Sequence, residues 1–346
     1  MKSLSPEEQI LLACTRQCFS ETHRHRMLEL CRRTTIRWDR VYAIAHRHNV
    51  LPLIYTNLQR CPLAALGMPS SLVTRFNQRY LHQIAIMTGQ ASRFERKLAF
   101  FKARSMAVML IKGAALALLV YDQPWYTVHD LDVVIKPGKM PLTCLMQAQI
   151  HTLFADLPGL EYDFFEHHDV MMNGMLPVDF EQIWADSRTI SYGAETVVVM
   201  SAEDMLITSC LNSCRKRFFR LKSLFDIAEI IERTPTLNWN EFVRKTNQYR
   251  CANIVYTALV ATGLTLGGTV PDQVLAALAI NPLRAALIRY VSRRLSFSTL
   301  ASLFSGLDFY DAPLGPGLIL PYLTYTPGQL WLKFTLRDQF WRTAPP

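Results

Sequence analysis

His129-Asp130-Leu131-Asp132-Val133-Val134-Ile135 carries two carboxylates at alternate positions and then a β-branched run. Such a stretch predicts a strand, and its period of two puts Asp130 and Asp132 on the same face. Two acids side by side call for a cation. Mg²⁺ or Mn²⁺ suits hard carboxylate oxygens that share the ion with substrate phosphates. His129 falls on the opposite face by the same alternation and reads as a packing residue.

Just upstream, Leu110-Ile111-Lys112-Gly113-Ala114-Ala115-Leu116 reads as an apolar strand, a Lys-Gly turn and an Ala/Leu-rich helix. A helix N-terminus offers free N–H groups and the positive end of its dipole to a phosphate, and Lys112 adds a charge beside Gly113. Alone, the dipeptide is an ordinary strand-to-helix turn, and an Asp-x-Asp pair is an ordinary solvent face. Their order and proximity give the pair its chemical meaning.

Downstream, Asn173-Gly174 between two β-rich runs predicts a tight hairpin whose outgoing strand is Leu176 to Trp184. That strand holds Asp179, the candidate third carboxylate, with Glu181 on the same face. Three acids would make a two-metal site for phosphoryl or nucleotidyl transfer, with Asp130, Asp132 and Asp179 as ligands and Asp179 also able to activate the acceptor.

Outward from this centre the chain divides into three parts. Residues 1–104 read as a helical lobe. Ser5-Pro6-Glu7-Glu8 is a capping box with proline at the first helical position, opening a helix over about Pro6 to Ser20. Helices are predicted at Trp38 to Arg47, Pro52 to Gln59 and Ser70 to Phe101. Residues 105–200 are the α/β core, with strands expected at Met106 to Ile111, Leu131 to Ile135, Tyr162 to Met172, Leu176 to Trp184 and Thr196 to Met200. Residues 201–346 form a second helical lobe opened by Ser201-Ala202-Glu203-Asp204, and the proline-rich last forty residues are expected to be irregular.

The chain has 346 residues, 50% hydrophobic and 19% charged, which excludes a disordered polypeptide. A net charge of +9 favours anionic partners. Basic residues cluster at His23 to Arg33 and at Arg215 to Lys222. Eight cysteines without a C-x-x-C pair read as reduced thiols in a cytoplasmic protein, and Cys14/Cys18 and Cys210/Cys214 as buried thiols rather than metal ligands. The N-terminus lacks an apolar signal-peptide core. Ala252 to Val270, the most membrane-like stretch, is interrupted by Asn253 and several Thr and Gly, so it reads as a core helix and turn.

Taken together, these motifs resemble the uncharacterised nucleotidyltransferases of the DNA polymerase β-like superfamily. Ile111-Lys112-Gly113-Ala114-Ala115-Leu116 resembles the family's Lys-Gly turn, Asp130-Leu131-Asp132-Val133-Val134 its metal motif, and Val178-Asp179-Phe180 the strand bearing its third acid. Asp204 to Glu232 is similar to the helical segment after the core. The resemblance implies an α+β fold, in which a polymerase-β-like core of a small mixed sheet with helices is flanked by the two helical lobes. It also implies that Arg220 and Lys222, with Lys112 and Gly113, approach the phosphates of a bound nucleotide such as ATP. The activity implied is metal-dependent transfer of NMP from an NTP to an acceptor, with release of pyrophosphate. Acceptors in keeping with it are a natural product, a peptide or an RNA, including a tRNA end as in toxin-type relatives. Where the family has an arginine shortly before Asp-x-Asp, this chain has Tyr126, Thr127 and Val128.

Other features have plainer readings. His167-His168-Asp169 reads as an exposed polar stretch. In the Arg215 to Lys222 run, Arg217, Arg220 and Lys222 do not all share one helical face, and Phe218 and Phe219 interrupt it as core anchors that leave a subset of the cations to aim at the cleft. A non-catalytic nucleotide-binding or scaffold protein that keeps the fold is the contrasting class.

Overall fold

Ser5 opens the first helix as its sequence requires. Its hydroxyl accepts from the Glu8 N–H at 3.3 Å and its own N–H donates to the Glu8 carboxylate at 3.0 Å. The computed structural model describes residues 4–103, 107–121, 126, 130–136, 161–165, 176–192, 195–218, 220–267, 270–293 and 323–324. Helices α1 (Pro6–Cys14), α2 (Glu21–Arg33), α3 (Trp38–Arg47), α4 (Leu51–Leu58) and the long α5 (Ser70–Ala103) precede the sheet.

The expected helix over Pro6 to Ser20 stops at Cys14, because tertiary bonds claim the backbone beyond it. The Asn57 side chain donates to the carbonyls of Cys14 and Arg16 at 2.8 and 2.7 Å, and the Gln17 N–H donates to the Glu229 carboxylate at 3.1 Å. Carbonyls committed to Asn57 are lost to a continuing helix.

The sheet contains β1 (Val108–Leu110), β2 (Asp130–Ile135), β3 (Glu161–Phe165), β4 (Arg188–Tyr192) and β5 (Glu195–Val199) in the order β3-β2-β1-β5-β4. β1 runs antiparallel to β2 and parallel to β5; β2 and β3 are parallel, and β4 and β5 antiparallel. Helix α6 (Lys112–Leu119) connects β1 towards β2. Val133 and Val134 point to opposite faces of β2 and both are fully buried, one against Phe94, Phe101 and Val199 and the other in the main core. The fold is therefore mixed α and β, with helices covering both faces of a small mixed sheet.

Two expectations for the middle of the chain are corrected. Leu176 to Trp184 is not a strand: α7 (Phe180–Ala185) occupies most of it, with Asp179 as N-cap. Phe180, Ile183 and Trp184 are its buried residues, an i, i+3, i+4 spacing that marks a helix face. β4 was not expected at all, since Arg188-Thr189-Ile190-Ser191-Tyr192 is a mostly exposed edge strand with little hydrophobic signal. The strand expected from Tyr162 spans Glu161–Phe165, and the rest of that run, the Asn173-Gly174 turn, His129 and His167-His168-Asp169 lie outside the described residues.

Helices α8 (Ala202–Arg215), α9 (Leu221–Arg233), α10 (Trp239–Gln248), α11 (Ala252–Leu266), α12 (Asp272–Ala277) and α13 (Pro282–Ser292) follow the sheet. Ser201 caps α8 by accepting from the Asp204 N–H, and α11 ends on Gly267 at φ 79°, a left-handed cap that favours glycine. One contiguous core runs from Ile10 through Val134 to Val291, so the preceding helices, the sheet and the following helices share it. Cys14, Cys210 and Cys214 are buried thiols within it, whereas Cys18 is exposed, against expectation, in the segment between α1 and α2. Among the described residues no helix is long and apolar enough to cross a membrane.

Candidate active site

β1 delivers the chain to Lys112, the first residue of α6, whose backbone is left-handed at φ 49°. A residue with a Cβ costs about 1–2 kcal/mol there, and conformations of this kind persist where the surroundings over-determine them. Two contacts do so. The Ile111 N–H donates to the Asp132 carbonyl at 3.1 Å, clamping the turn to β2, and the Lys112 ammonium stands 2.9 Å from Oδ1 of Asp132. Asp132 is nearly buried, its side chain 10% exposed, so this ammonium is a substantial part of what makes its charge tolerable. A Cβ at neighbouring Gly113 would meet no atom within 4 Å, leaving backbone open to close approach.

Asp130 begins β2, two residues before Asp132, as its sequence indicates. The β2/β3 register adds a feature that sequence reasoning missed: Asp130 is paired with Glu161, and Asp132 with Asp163. Glu161-Tyr162-Asp163 repeats the acid-x-acid spacing, which is the signal that could have found it. Asp179 is the N-cap of α7 and not a strand residue. Exposed at the head of α7, it accepts from the Glu181 and Gln182 N–H groups at 3.0 and 3.3 Å, a cap worth about 1 kcal/mol. Glu181 lies 3.3 Å from Lys136, the residue following β2.

A second polar cluster joins Tyr121 and Tyr126 to α9. The two tyrosine rings stack with centroids 3.8 Å apart. Lys222 donates to the Tyr126 hydroxyl at 2.8 Å and to Asp226 at 3.0 Å, and its ammonium sits 4.1 Å from the centre of the Tyr126 ring. Tyr121 donates to Asp226 at 2.7 Å. Burial, with the carboxylate of Asp226 next, holds the hydroxyls of both tyrosines protonated far above the usual phenol range. The negative charge of Asp132 adds to the effect on Tyr126, so the cluster and the Lys112–Asp132 pair share one electrostatic neighbourhood. Beside it lies a shallow recess lined by Asn49, Pro52, Leu53, Tyr126, Lys222 and Phe225.

Of the expected phosphate contacts, Lys112 and Gly113 stand together at the start of α6. Lys222 belongs to the tyrosine cluster, and Arg220 is the half-buried N-cap residue of α9. The basic run between α8 and α9 is not one helical face: Arg217 and Phe218 both take left-handed backbone, and Phe218 is fully buried as the anchor.

Residues 34–267 match the family model described as an uncharacterised nucleotidyltransferase. No curated protein matches the chain. Among solved structures it is similar to the crystal structure of an antigenic nucleotidyltransferase-like protein from Paracoccidioides brasiliensis. The two share 17% identity over 55% of this chain and 91% of that one, with a TM-score of 0.39. The family match takes in well over half of the sequence, together with the Lys-Gly turn, the Asp-x-Asp strand and the helices that carry Lys222, and this protein belongs to that family of uncharacterised nucleotidyltransferases.

Proposed function

We propose that this protein transfers NMP from an NTP to an acceptor, using Asp130 and Asp132 to hold a divalent metal and Lys112 with Gly113 to hold phosphate. The observation that carries this is a nearly buried carboxylate paired with a lysine in strained left-handed backbone at the head of a helix. The donor set fits Mg²⁺ or Mn²⁺: carboxylates at alternate positions of β2, with two more acids in register on β3 and no thiol or imidazole among them. A divalent ion there would stabilise charge developing on the phosphoryl oxygens and lower the pKa of the acceptor hydroxyl.

In this scheme the Lys112 ammonium supplies the positive charge beside Asp132 until substrate arrives, then turns to the triphosphate. The open backbone at Gly113 lets the phosphate approach, and the N–H groups of the first turn of α6 donate to its oxygens. The acceptor oxygen bonds to the α-phosphorus, the bond to the bridging oxygen breaks, and pyrophosphate leaves. Lys222 and Arg220 contribute positive potential along the leaving group's path. The acceptor's proton passes to the third carboxylate. Asp179 is one candidate for it. The lateral pairing of Asp132 with Asp163 specifically favours a second, Asp163.

Isothermal titration of ATP, GTP, CTP and UTP with Mg²⁺ tests the site, comparing the native protein with Asp130→Asn/Asp132→Asn. Metal-dependent binding that the variant loses is the expected result. A well-folded native protein that binds none of the four would make it a scaffold that keeps the fold.

A further inference from the structure

Arg75, Arg79 and His82 recur at i, i+4 and i+7 on α5, and the residues around them have no acid to balance them. From Arg40 to Phe94 the sequence contains six arginines, no lysine and not one Asp or Glu. The imbalance is regional. Residues 1–104 hold seventeen Lys and Arg against six acids, whereas residues 105–346 hold twenty against twenty-two, so the positive excess of the whole protein resides before the sheet.

The structure gathers part of this charge around a stack of flat groups. The Arg75 guanidinium lies 4.2 Å from the centre of the Tyr42 ring, and Tyr42 stacks with His46 one helical turn on, their planes 12° apart. Arg75, His46 and His82 are exposed, and Arg79 is half-buried. His46 is pushed below the usual histidine range by burial first and then by the positive charges of Arg79 and Arg75. The neutral form of its ring is thereby favoured beside these cations. Among the described residues neither Arg75 nor Arg79 makes an ion pair. The nearest acids in sequence are Asp39, in the first turn of α3, and Glu95, further along α5.

We infer that the α3/α5 face formed by Arg75, Arg79, His46 and His82 binds the phosphate backbone of a polynucleotide strand, which makes the acceptor of this transferase a nucleic acid. The substrate class deepens the proposed function and rests on it, while the binding surface itself does not. Charge complementarity selects a polyanion. Arginine without lysine, paired with a planar Tyr-His stack, favours bases and phosphates in alternation over a lipid headgroup plane or an acidic protein.

The test is fluorescence anisotropy with a labelled mixed-sequence single-stranded RNA and its DNA counterpart, titrated at several KCl concentrations, with anionic phosphatidylserine vesicles in a separate arm. Native protein is compared with Arg75→Glu/Arg79→Glu and with Arg188→Glu/Arg293→Glu, a charge-matched control away from this face, each verified as folded by circular dichroism. Support is strand binding that the α5 variant weakens about tenfold or more, with the slope of log affinity against log salt reduced by about 1.5, while the control keeps native affinity. Equal loss in both variants would reduce the effect to net charge and overturn the proposal, as would vesicle binding in preference to either strand, or no strand binding. Asp130→Asn/Asp132→Asn separates the two claims: strand binding that survives in a variant unable to bind NTP leaves this face standing, whatever becomes of the metal site.

Discussion

Lys112 and Asp132, on neighbouring elements, face each other at 2.9 Å with side chains 20% and 10% exposed, and the lysine holds that place with a left-handed backbone. Charge and backbone strain therefore act in opposite directions at one residue. Lys112→Met, which leaves a nearly buried carboxylate without this partner, is expected to lower stability by about 2 kcal/mol. Lys112→Gly loses the same charge but recovers about 1 kcal/mol of strain, so it should unfold at higher urea than the methionine variant. Urea melts of the three proteins decide the order. Mg²⁺ should also raise the melting temperature of the methionine variant more than that of the native protein; equal shifts would argue against Asp132 as a ligand.

Asp179 has a structural duty that must be separated from any chemical one. Asn caps a helix as well as Asp does, so Asp179→Asn should keep native stability, whereas Asp179→Ala should lose about 1 kcal/mol. If Asp179 is the third carboxylate, the asparagine variant abolishes pyrophosphate release at an unchanged melting temperature. Abolition by Asp163→Asn with Asp179→Asn still active would give the role to β3.

Lys222 tests the tyrosine cluster. Lys222→Met is expected to weaken NTP binding about tenfold, the equivalent of one charge-assisted contact of about 1.4 kcal/mol. Tyr126→Phe keeps the ring under the ammonium but removes its hydroxyl acceptor, and should give a smaller loss. Calorimetric titration measures both, and native affinity in Lys222→Met would remove this lysine from the phosphate path.

Lys245 is 1% exposed and bonds both Asp204 and Asp186, tying α10 to the start of α8 and the end of α7. Burial alone would depress the Lys245 ammonium, but hydrogen bonds to Asp186 and Asp204 outweigh it and hold it above the usual lysine range. Burial likewise opposes ionisation of Asp186, and Lys245 overcomes it, holding that carboxyl below its ordinary 3.8. The contribution of Asp186 is therefore present above pH 3.8 and lost as pH falls through its lowered value. That of Lys245 is present below 10.5 and lost as pH rises through its raised one. Denaturant unfolding should show a flat contribution from this pair between about pH 5 and 9. Lys245→Met should cost about 3–5 kcal/mol, much of it regained in Lys245→Met/Asp186→Asn/Asp204→Asn.

Legibility followed the range of the forces involved. Helix starts at Ser5 and Ser201 were readable because a capping side chain and its N–H lie three residues apart. The strand from Asp130 was readable because alternation is local. Val178-Asp179-Phe180 misled because aromatic and β-branched residues suit strands, while the N–H groups that claim Asp179 exist only once α7 has formed.

By itself the sequence determined the acid-x-acid strand, the Lys-Gly turn ahead of it, the helical flanks and, through these, the family. Only the tertiary structure decided which partners those residues meet. Lys112 onto Asp132, Asp163 beside Asp132, and Lys222 across 96 residues to Tyr126 are distances in space. They arise because burying both faces of the sheet fixes strand register and helix position together, and no local pattern in the chain encodes that closure.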